Sequence, residues 1–455
     1  MSFRTLTCAA ACVVVLASAA AAQTTSEVVR TALVDPQLDA LVAQALTHAP
    51  ETAAARASVE AAQRRIVPAR TPDNPFLSLT YQNDGRDVSF GDAAGSFVGL
   101  MASQAVPWPG KLRLAGAIAA SEAREIEQGT LARTALTVEA RVRNAWYDLV
   151  LARAVDRIIE DRRTAAAQIE ASVRERYAAG LAVQQDVLRA QVELARIEEQ
   201  KAAQAAAITS RLAELNRLTG APQDGPVATP DRLPDDATLP PLGDLIASAA
   251  ARSPELAAVR QGIETGRIRA ELAEKNFLPD FTVSAGSMDR GSFAMGPMWQ
   301  VGVGISVPLW IDRRERNQLA EAQAIVRGRT ADGEAVAREL ELRTRERAAQ
   351  LEAALRIAAL YRDKVLPLDE LSLESALASY QAGKLPFITI LDALNTLYGD
   401  RAIHAARLAE GAKWRVAIDE ASLQPAAMNA APAAMKAASV AAATANDSTA
   451  MTSMR

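Results

Sequence analysis

Few side chains of this sequence stand at spacings that could support catalysis. His48 and His404 are the only histidines, and no nucleophile triad or phosphate-binding motif accompanies them. Lys111 follows a single glycine, Gly110, without the rest of the glycine-rich loop that holds a nucleotide phosphate. We therefore expect no enzymatic activity, no cofactor and no bound metal centre.

The first 22 residues have the form of a secretory signal peptide. An apolar run over residues 5–19 follows one arginine, and the alanines at 20–22 provide a small-residue cleavage site. Both cysteines, Cys8 and Cys12, lie in this segment. The mature chain is thus expected to leave the cytoplasm with no disulfide and no cysteine ligand.

Composition excludes further classes of function. The chain has 50 basic and 54 acidic side chains, a net charge of −4, and no basic stripe that would favour nucleic acid as a partner. No stretch after the leader offers the 18 or so consecutive apolar residues of a membrane-spanning helix. If the protein crosses a membrane, we expect it to do so with β-strands.

The chain is an internal duplication. Four landmarks recur in the same order in its two halves, at a shift of 201 to 204 residues. They are Pro50-Glu51 with Pro254-Glu255, Pro75 with Pro279, Val106-Pro107 with Val307-Pro308, and the Tyr177–Gly180 segment with Tyr380–Gly383. We divide the chain into a signal peptide (1–22), a first repeat (23–222), a linker (223–240), a second repeat (241–423) and a disordered low-complexity tail (424–455).

Each repeat contains a predicted β-hairpin with one apolar face. Large apolar residues alternate with small or polar ones over residues 77–82 and 97–106, and again over 281–286 and 299–307. Such alternation is typical of transmembrane strands that face lipid on one side and water on the other. An ordinary amphipathic hairpin on a soluble core is the alternative interpretation.

Long helices flank each hairpin. A helix over residues 37–70 precedes the first hairpin, and almost unbroken helical sequence follows the hairpins over 111–178 and 313–365. Such a helix of 68 residues would be about 100 Å long. Glycine then breaks each helix, and the chain returns as a second helix over 183–219 and 388–422.

This plan requires more than one chain. Four strands cannot close a barrel, and open strand edges are not tolerated in lipid. Two or more copies must therefore share one barrel, which the long helices extend as a hollow cylinder.

The motifs resemble the TolC-like outer-membrane efflux proteins. The resemblance rests on the segments 104–116, 302–324 and 380–401, which read QAVPWPGKLRLAG, GVGISVPLWIDRRERNQLAEAQA and YQAGKLPFITILDALNTLYGDR. It implies a mainly α-helical chain with a membrane β-barrel portion, in a homotrimer that shares a twelve-stranded barrel and a long periplasmic α-barrel. The location it implies is the outer membrane of a Gram-negative bacterium.

The resemblance also implies a function. Such a chain is the exit channel for an inner-membrane pump of the resistance-nodulation-division type, joined through a periplasmic adaptor. The sequence is most similar to the cation and heavy-metal efflux branch, which favours metal cations as cargo. A duct for drugs or exported proteins is the alternative, and a secreted helical scaffold is a third hypothesis from another class.

Site residues carried over from the family lie at the helix tips. Gly180, Leu181, Gly383 and Lys384 are expected to contact the adaptor. Asp392 matches a gate aspartate, which three-fold symmetry would place in a ring of like charge, although an exposed helical aspartate is the plainer alternative.

Asp186 and Tyr380 match a hydrogen-bonded pair that keeps the tips closed in the family. The family's basic residue after the second glycine is replaced here by Leu385, which puts the full gate network in doubt. In the first repeat, Arg189 stands where the second has Asp392. Trp108, Trp299 and Trp310 are expected to contact outer-membrane lipid at its interface, with partial burial against a neighbouring strand as the alternative.

Overall fold

A computed structural model describes residues 35–83, 86–88, 95–230, 233–235, 239–290 and 296–423. The expected signal peptide (1–22) and the expected tail (424–455) lie outside the described residues, as does most of the first hairpin loop. Between 221 and 241 the described residues contain no helix or strand, and Leu233 of this connection is buried in the helical core.

Three helices precede the first hairpin, so the prediction of one helix over 37–70 is wrong. They are α1 (Pro36–His48), α2 (Pro50–Arg64) and α3 (Ile66–Arg70). Ala49 has an extended backbone with ψ 122°, and the proline after it begins the next helix. Proline has no N–H to donate and favours an extended residue before it, which is why the chain breaks here.

The second repeat begins in the same way. Helices α7 (Leu242–Arg252) and α8 (Pro254–Lys275) meet at Ser253, whose backbone is extended and whose side chain accepts from the Leu256 N–H. A proline at the first helical position again follows the break. The two repeats therefore share a bend at matching prolines.

Four antiparallel strands form one sheet in chain order. They are β1 (Phe76–Gln82), β2 (Phe97–Val106), β3 (Asp280–Asp289) and β4 (Met298–Ser306), so β1 and β4 are the edges. The predicted strands are confirmed. The central pairing joins the two hairpins, with Ala102 opposite Ala285.

The long helices are also confirmed, with one addition in each repeat. Helix α4 (Lys111–Ile126) continues through a π-helical turn over 127–131 into α5 (Ala132–Ala178). Helix α9 (Glu315–Leu360) continues through a second π turn (Tyr361–Val365) into α10 (Leu366–Gln381), beyond its predicted end. Pro367 closely follows this π turn, and the wider turn accommodates a proline that has no N–H to donate within a continuous helix.

Helices α6 (Gln184–Thr219) and α11 (Phe387–Glu420) complete two long antiparallel hairpins. The main core forms where α5, α6, α11 and α1 meet, around Trp146 and Leu149. A buried ion pair between Asp148 and Lys413 joins the two repeats beside this core. No described helix is both long enough and apolar enough to span a bilayer.

Candidate channel wall and gate

The sheet has two chemically different faces, which the strand register defines. On the face that we call the apolar face, Leu79 lies opposite Leu100 and Val283 lies opposite Val303. Its polar members, Gln104, Ser287 and Asp289, lie toward its two ends. The other large or apolar members are Leu77, Tyr81, Val98, Ala102, Val106, Phe281, Ala285, Trp299, Val301 and Ile305.

The opposite face, which we call the small-residue face, carries mostly glycine and short polar side chains. Gly304 lies opposite Thr282, for example, and Gly302 opposite Ser284. The apolar face is open, with Leu79 75% exposed and Trp299 79% exposed. A continuous exposed apolar surface of this kind marks contact with lipid or with another protein.

The turn after β2 is fixed to the start of β3. The Trp108 ring stacks on Phe281 with a centroid distance of 5.6 Å, and the Trp108 backbone N–H donates to the Asp280 carboxylate over 2.8 Å. Lys111 Nζ donates to the same carboxylate over 2.9 Å and to the Leu278 carbonyl over 3.1 Å. Trp108 is thus partly buried against the neighbouring strand, while Trp299 and Trp310 are exposed.

Both helix tips turn on a glycine in the left-handed conformation. Gly180 has φ +75° and Gly383 has φ +72°. At the first tip the Leu181 N–H donates to the Arg176 carbonyl over 2.8 Å, and at the second the Lys384 N–H donates to the Ser379 carbonyl over 2.9 Å. These bonds close the ends of α5 and α10, as in a Schellman motif.

The structure brings Asp186 and Tyr380 together across the two hairpins. The Tyr380 hydroxyl donates to the Asp186 carboxylate over 3.2 Å, and its ring packs on Phe387 with a centroid distance of 5.6 Å. Burial of the ring raises the pKa of Tyr380, and the negative charge of Asp186 raises it further. The hydroxyl therefore stays protonated and able to donate at any physiological pH.

Arg176 is a tip residue that the sequence did not indicate. It ends α5 in the first repeat, and its Nη1 donates to the Gln381 carbonyl of the second repeat over 3.1 Å. Its guanidinium carbon also lies 5.2 Å from the centroid of the Tyr380 ring. A basic group thus does contact the second tip, from the opposite hairpin, although Leu385 replaces the one expected after Gly383. The only local signal is an arginine in the last turn of a helix.

Asp392 is exposed on α11, and its carboxylate has no partner among the described residues. Arg189 is likewise exposed at the matching position of α6. Farther from the tips, Arg162 forms an ion pair with the buried Glu193 of its own hairpin. It contacts the second hairpin by a hydrogen bond to the Asn395 side chain over 2.6 Å. The tips are therefore tied together within one chain by polar contacts at two levels.

The described residues contain no group of three or more histidine, cysteine, aspartate or glutamate side chains that could hold a metal ion.

A family model described as outer membrane efflux protein matches residues 41–221 and 245–422. The chain belongs to this family. The two matched stretches cover both repeats, including the hairpins and the tips. Members are passive channels of the Gram-negative outer membrane with a periplasmic extension, and they work as trimers with an adaptor and a pump in tripartite systems.

Individual relatives agree with this assignment. The chain is 28% identical over 288 residues to the cobalt-zinc-cadmium resistance protein CzcC of Cupriavidus metallidurans, covering 62% of this chain and 67% of that one. The outer membrane protein VceC of Vibrio cholerae has the same fold, with a TM-score of 0.69 at 20% identity, covering 85% of this chain and 96% of VceC. The CusC channel matches with a TM-score of 0.67 at 18% identity, covering 87% of this chain and 92% of CusC. The protein is an outer-membrane efflux channel with a TolC-like fold.

Proposed function

We propose that three copies of this chain form the exit channel of a tripartite system that expels metal cations. The observation that carries the proposal is the open four-stranded sheet, which has one exposed apolar face and two unpaired edges, β1 and β4. Unpaired strand edges are not stable in lipid. Pairing of β4 with β1 of the next copy removes both edges, and three copies give twelve strands.

The faces of the sheet assign the inside of this barrel. The apolar face turns toward lipid, and the small-residue face lines the lumen. Trp299 and Trp310 lie toward opposite ends of the sheet, where their exposed rings meet the two lipid interfaces. Trp108 lies at the periplasmic lipid interface, where it stacks on Phe281.

The contacts at the tips provide the gate in its closed form. Tyr380, Asp186 and Arg176 hold the two hairpins of one chain together. Three copies of Asp392 around the axis form a ring of negative charge at the constriction, which attracts cations and opposes anions. Opening requires the tips to separate, and the exposed Leu181, together with Gly180, Gly383 and Lys384, is the surface on which the adaptor docks.

Metal cations are the proposed cargo because of the similarity to a cobalt-zinc-cadmium resistance protein. A strain lacking the gene should become sensitive to zinc, cadmium or cobalt, and the full-length gene should restore resistance. Sensitivity to lipophilic drugs alone, or loss of a secreted protein, would assign the channel to the alternative kinds of export. Unchanged sensitivity to all of these would refute the proposal.

A pair of lysine substitutions tests the barrel itself. Val303→Lys places a charge on the apolar face, where a cation near the middle of a bilayer costs about 2–4 kcal/mol, whereas Thr282→Lys places the same charge on the small-residue face of the adjacent strand. We expect the first variant to lose the heat-modifiable trimer from outer-membrane fractions and the second to retain it. Equal tolerance of both lysines would contradict the assignment of faces.

A further inference from the structure

Three methionines interrupt the small-residue face of the sheet. Met101, Met288 and Met298 lie on this face together with Phe76 and Phe97, among neighbours that are otherwise mostly glycine, serine, threonine and glutamine. The three methionines differ from the two phenylalanines because each carries a thioether sulfur, which can bind a soft metal ion.

The register places the three thioether side chains next to one another on three adjacent strands. Met288 of β3 lies directly opposite Met298 of β4 and directly opposite Gly99 of β2. Met101 follows Gly99 by two residues on the same face, which makes it a diagonal neighbour of Met288 within reach of a long side chain.

Two glycines make room for these side chains. A Cβ built on Gly99 would lie 3.4 Å from the Phe97 ring and 3.5 Å from Met288 Cγ, so both of these side chains lie beside this glycine. A Cβ on Gly286 would lie 3.4 Å from Met101 Cβ. Met101 and Met288 therefore each lie beside a glycine of the neighbouring strand, and Met288 and Met298 are paired near the end of the sheet farthest from the helices.

The distribution of methionine along the chain supports a specific role. Of nine methionines, none falls between residues 111 and 275 or between 315 and 420, which contain nearly all of the long helices. Methionine is a good helix former and a common filler of helical cores. Methionine is absent from these long helices, although three methionines lie close together on the sheet. A generally methionine-rich composition therefore does not explain the group on the sheet.

We propose that Met101, Met288 and Met298 form a binding site for a soft monovalent cation, Cu(I) or Ag(I), on the lumenal side of the sheet. Thioether sulfur selects Cu(I) over the harder divalent metals, which prefer imidazole or carboxylate ligands. Three neutral ligands bind such an ion without the strong attraction of a negative charge. The ion can then leave the site, which conduction through a channel requires. All three ligands come from one chain, but their lumenal position rests on the proposed trimeric channel.

Silver nitrate in chloride-free buffer is the probe, because Ag(I) does not change oxidation state during the titration. The protein is the full mature chain as a detergent-solubilised trimer, with the four tail methionines at 428, 435, 451 and 454 changed to leucine to remove competing thioethers. Calorimetry gives the stoichiometry and affinity. Methionines labelled with carbon-13 in the ε-methyl group show by NMR which side chains bind.

We expect one Ag(I) per chain and a shift of three methyl signals. Met288→Leu should weaken binding at least about tenfold, as loss of supporting groups alone costs a metal site tenfold or more. Met298→Leu, at a more exposed position, is the second variant in case the first fails to fold. Met295→Leu is the matched control, a methionine three residues before Met298 in the sequence, and it should bind as the parent does.

Silver binding that is unchanged in both Met288→Leu and Met298→Leu would overturn the proposal. Zn²⁺ binding at the same three methyl groups with equal affinity would also overturn it, because a soft-ion site should not retain a borderline metal. Conductance of the same trimers in planar bilayers separates this inference from the proposed function. A conducting channel that does not bind silver refutes the site alone, and a silver-binding protein that does not conduct refutes the channel.

Discussion

The two helical hairpins have the same backbone but different contacts at matching positions. Tyr177 of the first tip is 45% exposed, whereas Tyr380 of the second is 8% exposed and bonded to the opposite hairpin. Arg189 of the first matches Asp392 of the second. The two repeats therefore share one backbone plan, while each contributes different side chains to the contacts between the tips.

The same contrast continues inside the hairpins. Ala166 and Ile197 pack in an apolar cluster of the first hairpin. At the matching positions of the second hairpin stand two carboxylic acids, Asp369 and Asp400, and Asp369 raises the pKa of Asp400. At this level the first hairpin therefore has two apolar side chains where the second has a pair of titratable groups.

The largest effect is expected where the two repeats are joined. Asp148→Ala leaves the buried Lys413 ammonium without its partner, and breaking a buried ion pair in this way costs about 3 kcal/mol or more. The urea midpoint of the trimer should fall accordingly. Lys413→Met is the matched variant and should cost less, because Arg211 Nη1 remains 4.0 Å from Asp148. Equal falls of the urea midpoint in the two variants would contradict the expectation that Arg211 partly replaces Lys413 beside Asp148.

The next largest effect concerns the tie between the tips. Arg176→Ala removes a charged donor from the Gln381 carbonyl, and such a bond is worth enough to shift the closed-to-open equilibrium about tenfold. Single-channel recordings should show a higher open probability with no change in the unfolding midpoint. Lys384→Ala, at an exposed lysine of the second tip, should leave the open probability unchanged. An effect of equal size in both variants would mean that tip charge in general, and not this contact, holds the gate.

Smaller effects, opposite in sign, are expected on the cation preference of the channel when Asp392 and Arg189 are replaced. Asp392→Ala removes a negative ring, so it should raise leakage through the isolated trimer and lower its cation preference about two- to fivefold. Arg189→Ala removes the positive charge at the matching site and should raise cation preference. Reversal potentials in a salt gradient measure both. Unchanged conductance and selectivity in Asp392→Ala would remove this residue from the gate.

The smallest effect is a pH dependence confined to the second hairpin. Burial raises the pKa of Asp400 to about 6, together with the neighbouring Asp369 carboxylate, which can accept a hydrogen bond from the protonated form and repels the ionised form. The folded protein then holds a proton that the unfolded chain releases near pH 4, so stability is greatest at low pH and falls as pH rises through about 6. After screening by solvent we expect a loss on the order of 1 kcal/mol. Asp400→Asn should flatten urea midpoints between pH 4 and 7, and a persisting slope would locate the titrating group elsewhere.

The parts of the fold that could be predicted from the sequence are mostly helices and strands, because their patterns of apolar residues repeat over a few neighbouring positions. Alternation over 76–82 and 97–106 predicted both strands of the first hairpin, because one face of each strand carries large apolar groups. The bend at Pro50 was missed because helical periodicity continues on both sides of it. The π turns were missed because each is a single turn inside a helix that continues on both sides of it.

The candidate site was less predictable because its contacts join distant parts of the chain. Asp186 and Tyr380 were expected to meet only through the family resemblance, and the hydrogen bond between them is present. Arg176 lies 205 residues from the carbonyl that it contacts, and no local pattern encodes such a pairing. The methionine patch became visible only once the register placed Met288 beside Met298.

Arg176 works at both tips at once. Its carbonyl oxygen accepts the Leu181 N–H that closes the first turn, and its guanidinium holds the end of α10 beside the second. A force that unwinds the first turn therefore also withdraws the arginine from its partner hairpin. Unwinding of the first tip at the exposed Leu181 would thus weaken a contact at the second tip, because both contacts belong to one residue.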